Sequence, residues 1–298
     1  MKTPIIIGSR GSDLALWQAH FVQAELKKNR LDSRIEIIQT KGDAIQHLSF
    51  DKIEGKGFFT KEIEEALLQK RIDIAVHSHK DLETTSPQGL LVAAVSHRAD
   101  PRELLLIHPD AVDESKPLRL KLNAIVGTSS ARRKAQLLDA RADIALKDIR
   151  GNVPTRVQKL RDRQFDAIML AKAGIDRLEL NTDNLIAVAL NIDELVPAPA
   201  QGVLAIQCRD DDDELISALQ AIHHPDVQAN IAIERSVLNQ LHGGCQLPLG
   251  VHAIRHNQQF HAHVAFATAW NQPITKFQVS GASTEEVIRT ILHRINNR

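Results

Sequence analysis

The sequence predicts an α/β protein with mainly parallel sheets, on three observations. Short apolar runs recur, and each is followed by a polar loop and then by a segment with helical periodicity. The runs are apolar throughout rather than alternating, as in strands covered on both faces. At 298 residues the chain is too long for one small core and suits two or three domains.

The elements follow in order. Pro4 to Gly8 reads as a buried strand, followed by a helix with Ser12 as N-cap and Leu14, Trp17, Phe21 and Ala24 on one face. Ile72 to Val76 is a second strand, and the polar run His77-Ser78-His79-Lys80-Asp81 comes straight after it. Ala124 to Val126 leads into Gly127-Thr128-Ser129-Ser130 and a helix from about Ala131. Ile144 to Ile149 leads into Arg150-Gly151-Asn152-Val153-Pro154, where the proline suits a first helical turn. Ala167 to Leu170 precedes Ala171-Lys172-Ala173-Gly174 and a further helix. After about Pro225 the pattern changes. A helix over Val227 to Leu241 precedes Gly243-Gly244-Cys245. The alternating stretches Phe260 to Phe266 and Ile274 to Val279 then read as an antiparallel meander, with a last helix from Ser283 or Thr284.

Breaks at Ser96 to Arg102 and Pro197 to Gly202 look like domain crossings. The expected organisation is a discontinuous first α/β domain (1–98 and 202–220), a second α/β domain (99–201) and a small C-terminal α+β domain (221–298).

Composition narrows the function classes. The chain is 43% apolar and 25% charged, with 37 basic and 37 acidic residues. That balance argues against a nucleic-acid or membrane partner. No run approaches the 18 apolar residues of a membrane span, and Met1-Lys2-Thr3-Pro4 lacks the apolar core of a signal peptide. With two cysteines in dissimilar settings, a cytoplasmic protein with free thiols is expected.

Ligands of such sheets bind beyond the carboxyl ends of the strands, so the polar loops above are expected to share one site. Arg10, Arg132, Arg133, Arg150, Arg156 and Arg177 all sit in or just after these loops. Guanidinium groups pair bidentately with carboxylate or phosphate, and helix amino termini add N–H donors. The set reads as a polyanion site, against solvated surface arginines. Asp81 is a strand-end carboxylate suited to accept from a ring N–H and to stabilise positive charge on that ring; a helix cap or a partner for Lys80 is its other reading. His77 and His79 have chelating spacing, but no third ligand is assigned, and no metal is expected. Lys52 and Lys56, around Gly55-Lys56-Gly57-Phe58-Phe59, suggest a glycine-flanked flap; the run lacks the residues of a phosphate-binding P-loop. Cys245, behind two glycines, reads either as an accessible nucleophilic thiol or as a buried structural one, and Cys208 as a strand residue of the core.

Together these fragments resemble the porphobilinogen deaminase family. The resemblance runs from Ile7 to at least Gly250. It is carried by Ser9-Arg10-Gly11-Ser12 with Leu14-Ala15-Leu16-Trp17-Gln18-Ala19, Gly55-Lys56-Gly57, Val76-His77-Ser78 with Lys80-Asp81, and Val126-Gly127-Thr128-Ser129-Ser130 with Arg132-Arg133. Arg150-Gly151-Asn152-Val153 with Thr155-Arg156, Pro197 with Gln201-Gly202, and Gly243-Gly244-Cys245-Gln246 with Pro248 complete it.

The resemblance implies two periplasmic-binding-protein-like α/β domains and a small third domain. It implies a transferase of tetrapyrrole (porphyrin and heme) biosynthesis, a hydroxymethylbilane synthase. Such an enzyme condenses four porphobilinogen molecules head to tail, with release of ammonia, and acts as a monomer. It implies a dipyrromethane cofactor attached through Cys245, and Asp81 as the central catalytic carboxylate, with Lys80 and Arg10 beside it in catalysis. Ser12, Lys80, Thr128, Ser130, Arg132, Arg133, Arg150 and Gly151 are implied as cofactor-binding. Arg10, Arg150, Arg156 and Arg177 are implied as substrate-binding, and Lys52 and Lys56 as the flexible loop.

The sequence departs from the family pattern at His79 (usually methionine), Glu83 (proline), Pro199-Ala200 (valine and glycine), Gln207 (glutamate) and His242 (acidic). The alternative reading is a non-catalytic two-lobed anion-binding protein of the same fold; such a receptor needs neither an accessible Cys245 nor a central Asp81.

Overall fold

The computed structural model describes residues 4–40, 60–243 and 246–297. In chain order it contains β1 (Ile5–Ser9), α1 (Asp13–Lys28), β2 (Ser33–Ile37), α2 (Lys61–Leu68), β3 (Ile74–Ser78) and β4 (Leu90–Val95). There follow β5 (Glu103–Ile107), β6 (Ile125–Gly127), α3 (Ala131–Ala140), β7 (Ala145–Lys147), α4 (Val153–Arg161), β8 (Ala167–Ala171), α5 (Lys172–Arg177) and β9 (Ile186–Ala189). The chain continues through β10 (Leu204–Arg209), α6 (Asp213–Leu219), α7 (Pro225–Gln240), β11 (Leu249–His256), β12 (Gln259–Phe266), β13 (Thr275–Gly281) and α8 (Thr284–Asn296). Among the described residues, no helix is long and apolar enough to cross a membrane.

The chain forms two compact units, one of residues 1–99 and 202–228, the other of 100–201 and 229–298. The first contains a five-stranded sheet in the order β2-β1-β3-β10-β4. β1 runs parallel to β2 and β3, while β10 runs antiparallel to both β3 and β4. The second contains a sheet in the order β7-β6-β8-β5-β9, in which β6 is parallel to β7 and β8, and β5 antiparallel to β8 and β9. The two plans are the same. In each, the single reversed strand is the first strand after a crossing, β10 after 201–202 and β5 after 99–100. The sheets are thus mainly parallel, as expected, with one reversed strand each.

Gly202 shows why the second crossing is tight. Its φ is +88°, and a Cβ there would stand 2.5 Å from the carbonyl oxygen of Ala99, so only glycine fits. The Ala99 N–H donates to the Gly202 carbonyl at 3.0 Å.

The second unit also holds the antiparallel meander β11-β12-β13, packed on α8 and α7 with its own core of Val237, Val251, Phe260, Val264, Val287 and Ile291. This is the small α+β segment read from the sequence. The last helix starts where expected: Ser283 caps it by accepting from the Glu286 N–H, and Glu286 Oε2 accepts from the Ala282 N–H at 2.8 Å.

Two local expectations need correction. The buried stripe of α1 is Gln18, Ala19, Val22 and Leu26, whereas Ala24 is exposed and Leu14, Trp17 and Phe21 are half-buried. Small Ala19 meets the core, and the large rings of Trp17 and Phe21 stack beside it at 5.5 Å. β3 starts two residues later than expected, so His77 and Ser78 belong to the strand. His77 lies opposite Ala205 in the ladder, and a buried hydrogen bond to Gln207 satisfies its Nε2, which lowers the cost of placing a polar residue there.

Glu234 joins two parts of the second unit. It is fully buried on α7, and its carboxylate accepts from the N–H of Ala200 at 2.6 Å and of Ala253 at 2.7 Å. Ala200 has a φ of +60°, a conformation that disfavours a side chain, so this hydrogen bond holds a strained residue. Glu234→Gln turns an amide N–H₂ toward one of these donors and is expected to lower stability by about 1–3 kcal/mol, read from the urea midpoint.

Candidate functional site

In the first unit the candidate residues gather at the carboxyl edge of the sheet. β1 and β3 are adjacent and parallel, so the loops leaving them lie side by side. Arg10 follows β1, half-buried. Its loop is tied down by Ser9, whose hydroxyl donates to the carbonyls of Arg10 and Ala15 at 3.1 Å each. Ser12 occupies the N-cap position of α1 with extended backbone, but its side chain makes no capping bond. Gln18 Nε2 donates to Ser78 Oγ at 2.8 Å and so links α1 to the end of β3.

Beyond β3, His79 to Asp81 make one 3-10 turn. It is anchored by the His79 N–H, which donates to the Val203 carbonyl at 2.9 Å just before β10 begins. Lys80 is half-buried and Asp81 exposed. The turn therefore presents an ammonium and an accessible carboxylate beside the guanidinium-bearing loop. Asp81 is neither a helix cap nor buried.

In the second unit the loops after β6, β7 and β8 are equivalent to these. Ser129 Oγ donates to the Ile149 carbonyl at 2.9 Å and accepts from the Ile149 N–H at 3.1 Å, stitching the loop after β6 to the loop after β7. Thr128 is buried, and its hydroxyl accepts from the Ser130 N–H at 3.3 Å. Ser130 caps α3 by accepting from the Arg133 N–H. Arg150 is half-buried, and its carbonyl accepts from Lys159 Nζ at 3.1 Å. Gly151 has φ +107°, and a Cβ there would come within 2.7 Å of Thr155 Cγ2, which fixes glycine at this bend. Arg156 Nε donates to the Gly151 carbonyl at 2.8 Å. Arg177, at the end of α5, is half-buried, and burial pushes its guanidinium down to about 10, which leaves it charged at neutral pH.

Arg132 and Arg133 stand apart from the rest. They are 6% and 8% exposed, and both pair with the fully buried Glu103 at the start of β5. Arg132 Nη2 reaches Glu103 Oε1 at 2.6 Å, while Arg133 Nε and Nη2 reach Oε2 at 3.0 and 2.7 Å. Arg132 Nη1 also donates to the Val196 carbonyl and Arg133 Nη1 to the Met169 carbonyl. Gln201 Nε2 adds a bond to Glu103 Oε1 at 3.0 Å. Burial pushes the Arg132 guanidinium down, Arg133 adds to that, and Glu103 opposes it. The cluster of two guanidinium groups and one carboxylate keeps a net positive charge.

Sequence reasoning overlooked Glu103 and the bridging role of Ser129. A signal for Glu103 exists: a single acid opens the apolar run Leu104 to Ile107. Cys208 is a buried β10 residue whose thiol burial pushes up to about 11, as a core cysteine should be. Lys52, Lys56 and Cys245 lie outside the described residues.

Each sheet thus carries cationic and hydroxyl groups at its carboxyl edge, the kinds of group that can pair with carboxylate or phosphate. Residues 5–217 match the family described as "Porphobilinogen deaminase, dipyromethane cofactor binding domain", and residues 229–281 match "Porphobilinogen deaminase, C-terminal domain". The chain belongs to the porphobilinogen deaminase family, as the motifs in its sequence led us to expect. It is 40% identical to the porphobilinogen deaminase of Chloroherpeton thalassium over 98% of this chain and 90% of that protein. It is 43% identical to that of Desulforamulus reducens over 90% and 85% of the respective chains. Among solved structures it is similar to the periplasmic VFT2 domain of Bordetella pertussis BvgS, with 14% identity over 73% of this chain and 86% of that one and a TM-score of 0.44.

Proposed function

We propose that the chain condenses porphobilinogen molecules head to tail, with release of ammonia, to give hydroxymethylbilane. Asp81 is the central carboxylate, Arg10 and Lys80 flank it, and Cys245 carries a dipyrromethane covalently. The observation that carries this reading is the exposed Asp81 on an anchored turn next to the Arg10 loop. Family membership supports it and disfavours a non-catalytic receptor.

A dipyrromethane has carboxylate arms and ring N–H donors, so its holder must supply cations, hydroxyls and a carboxylate. The described side chains of each unit are of the kinds required: Ser12 and Lys80 offer donors and Asp81 an acceptor in the first, and Ser130 and Arg150 offer donors in the second. When bound, the group supplies the free pyrrole carbon from which the product grows. Asp81 accepts from pyrrole N–H and stabilises positive charge that develops on the substrate ring as ammonia leaves. Arg10, Arg150, Arg156 and Arg177 bind acetate and propionate arms, and Arg177 keeps its charge at neutral pH for that pairing. Thr128 and Gly151 shape the loops that present these donors. Arg132 and Arg133, with Glu103 neutralising only one of their two charges, favour a carboxylate arm through their residual field rather than as free forks. The enzyme works as a cytoplasmic monomer.

Intact mass tests the reading. Protein made in a porphobilinogen-competent host is expected to carry the mass of two linked pyrroles, and Cys245→Ser to lack it. An unmodified wild-type mass sinks the covalent role of Cys245 and favours the receptor.

A further inference from the structure

A buried polar chain runs under the edge that carries Arg10, Lys80 and Asp81. His77, two residues before the 3-10 turn, is 7% exposed, and its Nε2 lies 3.1 Å from Gln207 Oε1. Gln207 is fully buried on the neighbouring β10, and its Nε2 donates to Glu64 Oε1 at 3.1 Å. Glu64 comes from α2, so one amide links groups from α2 and β3. Other polar groups act on both ends. The Arg10 charge acts on the imidazole, whereas Thr60 Oγ1 stands 3.5 Å from Glu64 Oε2 and the Glu83 carboxylate acts on Glu64.

An amide is directional, since its carbonyl only accepts and its N–H₂ only donates. With the carbonyl toward His77, Nε2 must carry the imidazole proton and Nδ1 is bare. The amide's donor then faces Glu64, which accepts whether ionised or not. With the amide reversed, Glu64 must hold a proton to donate, and His77 Nε2 must be bare. The other tautomer of His77 is therefore open only when Glu64 holds a proton. Burial and the Arg10 charge both disfavour an imidazolium, and the His77 value falls to about 4. Burial raises Glu64 against the opposing bond from Gln207, with Glu83 raising it further. His77 thus stays neutral as pH drops below 6.5, and a second positive charge next to Arg10 is avoided until about pH 4.

We propose that Gln207 is a positioning residue for the reaction: its amide holds His77 as the neutral Nε2–H tautomer beside Arg10 and ties that tautomer to the protonation state of Glu64. This rests on the reading of Arg10 as a carboxylate-binding residue. Changes in the imidazole alter the field at Arg10, so they appear in substrate binding before they appear in chemistry.

The experiment is imidazole ¹⁵N NMR on the wild-type holoenzyme, with kcat and KM followed between pH 5 and 9 as a scan of about four units centred on neutrality. Wild type is expected to show His77 as a single Nε2–H species at pH 7. Gln207→Met, similar in shape but without the amide, is expected to mix the tautomers and raise KM about fivefold with little change in kcat, the size of one lost hydrogen bond. Gln207→Glu keeps an acceptor for His77 and is expected to restore the Nε2–H signal while giving KM a new pH-dependent limb. A wild-type Nδ1–H tautomer overturns the proposal whether or not any variant folds. So does a folded Gln207→Met with wild-type KM across the pH range. Arg10→Leu separates the two readings, because an unchanged KM there rejects carboxylate binding by Arg10 and leaves the tautomer result standing.

Discussion

Asp81→Asn is expected to slow ammonia release by about 10²–10³-fold while the protein keeps its fold and its bound pyrroles, the loss typical when one preorganised group facing transition-state charge is removed. The substitution keeps size and one acceptor oxygen but removes the negative charge. Asp81 is exposed at the end of a short turn and supports no core contact, so stability should change little. Its value to the reaction lies in charge that appears only as ammonia leaves. The effect should therefore fall on kcat more than on KM. Single-turnover ammonia release measures it, and a rate within about threefold of wild type removes Asp81 from the chemistry.

Glu103→Leu is expected to destabilise the second unit by about 3–5 kcal/mol, the usual result of removing one member of a buried ion cluster. Two guanidinium groups would then share a buried space with no carboxylate, and Gln201 would lose an acceptor. A domain with an ordinary stability of about 5–15 kcal/mol would be left near its threshold. Chemical denaturation measures the loss. A change below about 1 kcal/mol means that the arginines are held by the carbonyls of Val196 and Met169 instead. If the ion cluster is structural in this way, Arg132→Leu should also weaken the fold and not substrate binding alone.

Much of the site was readable because loop chemistry is local. The start of α3 at Ala131 and Pro154 in the first turn of α4 sit where the pattern put them, whereas Ser12, read as the cap of α1, makes no capping bond. The Arg10 and Lys80-Asp81 loops were likewise found from apolar runs that stop abruptly. What could not be read came from tertiary partners. Nothing near His77 announces Gln207, 130 positions away. Nor does the spacing of Arg132 and Arg133 reveal Glu103, 29 and 30 positions before them. Their long-range pairing turns two apparent surface cations into buried ones. The stripe on α1 was misjudged for a related reason: helical period gives a face, but the close approach at Ala19 decides which neighbouring face is covered.

The reversed strand in each sheet has a consequence for how the protein is made. Among the described strands β4 hydrogen-bonds only to β10, and Val95 must wait for Ala205, roughly 110 residues later, to emerge from the ribosome. During that interval the edge of β3 is also bare on that side. The second sheet faces no such delay, because β5 is synthesised before β6 to β9. The middle of the chain can therefore finish its sheet while the beginning is still incomplete. The amino-terminal lobe, with Asp81 on its edge, is the later of the two α/β sheets to close, and during synthesis it offers a ready edge for mispairing.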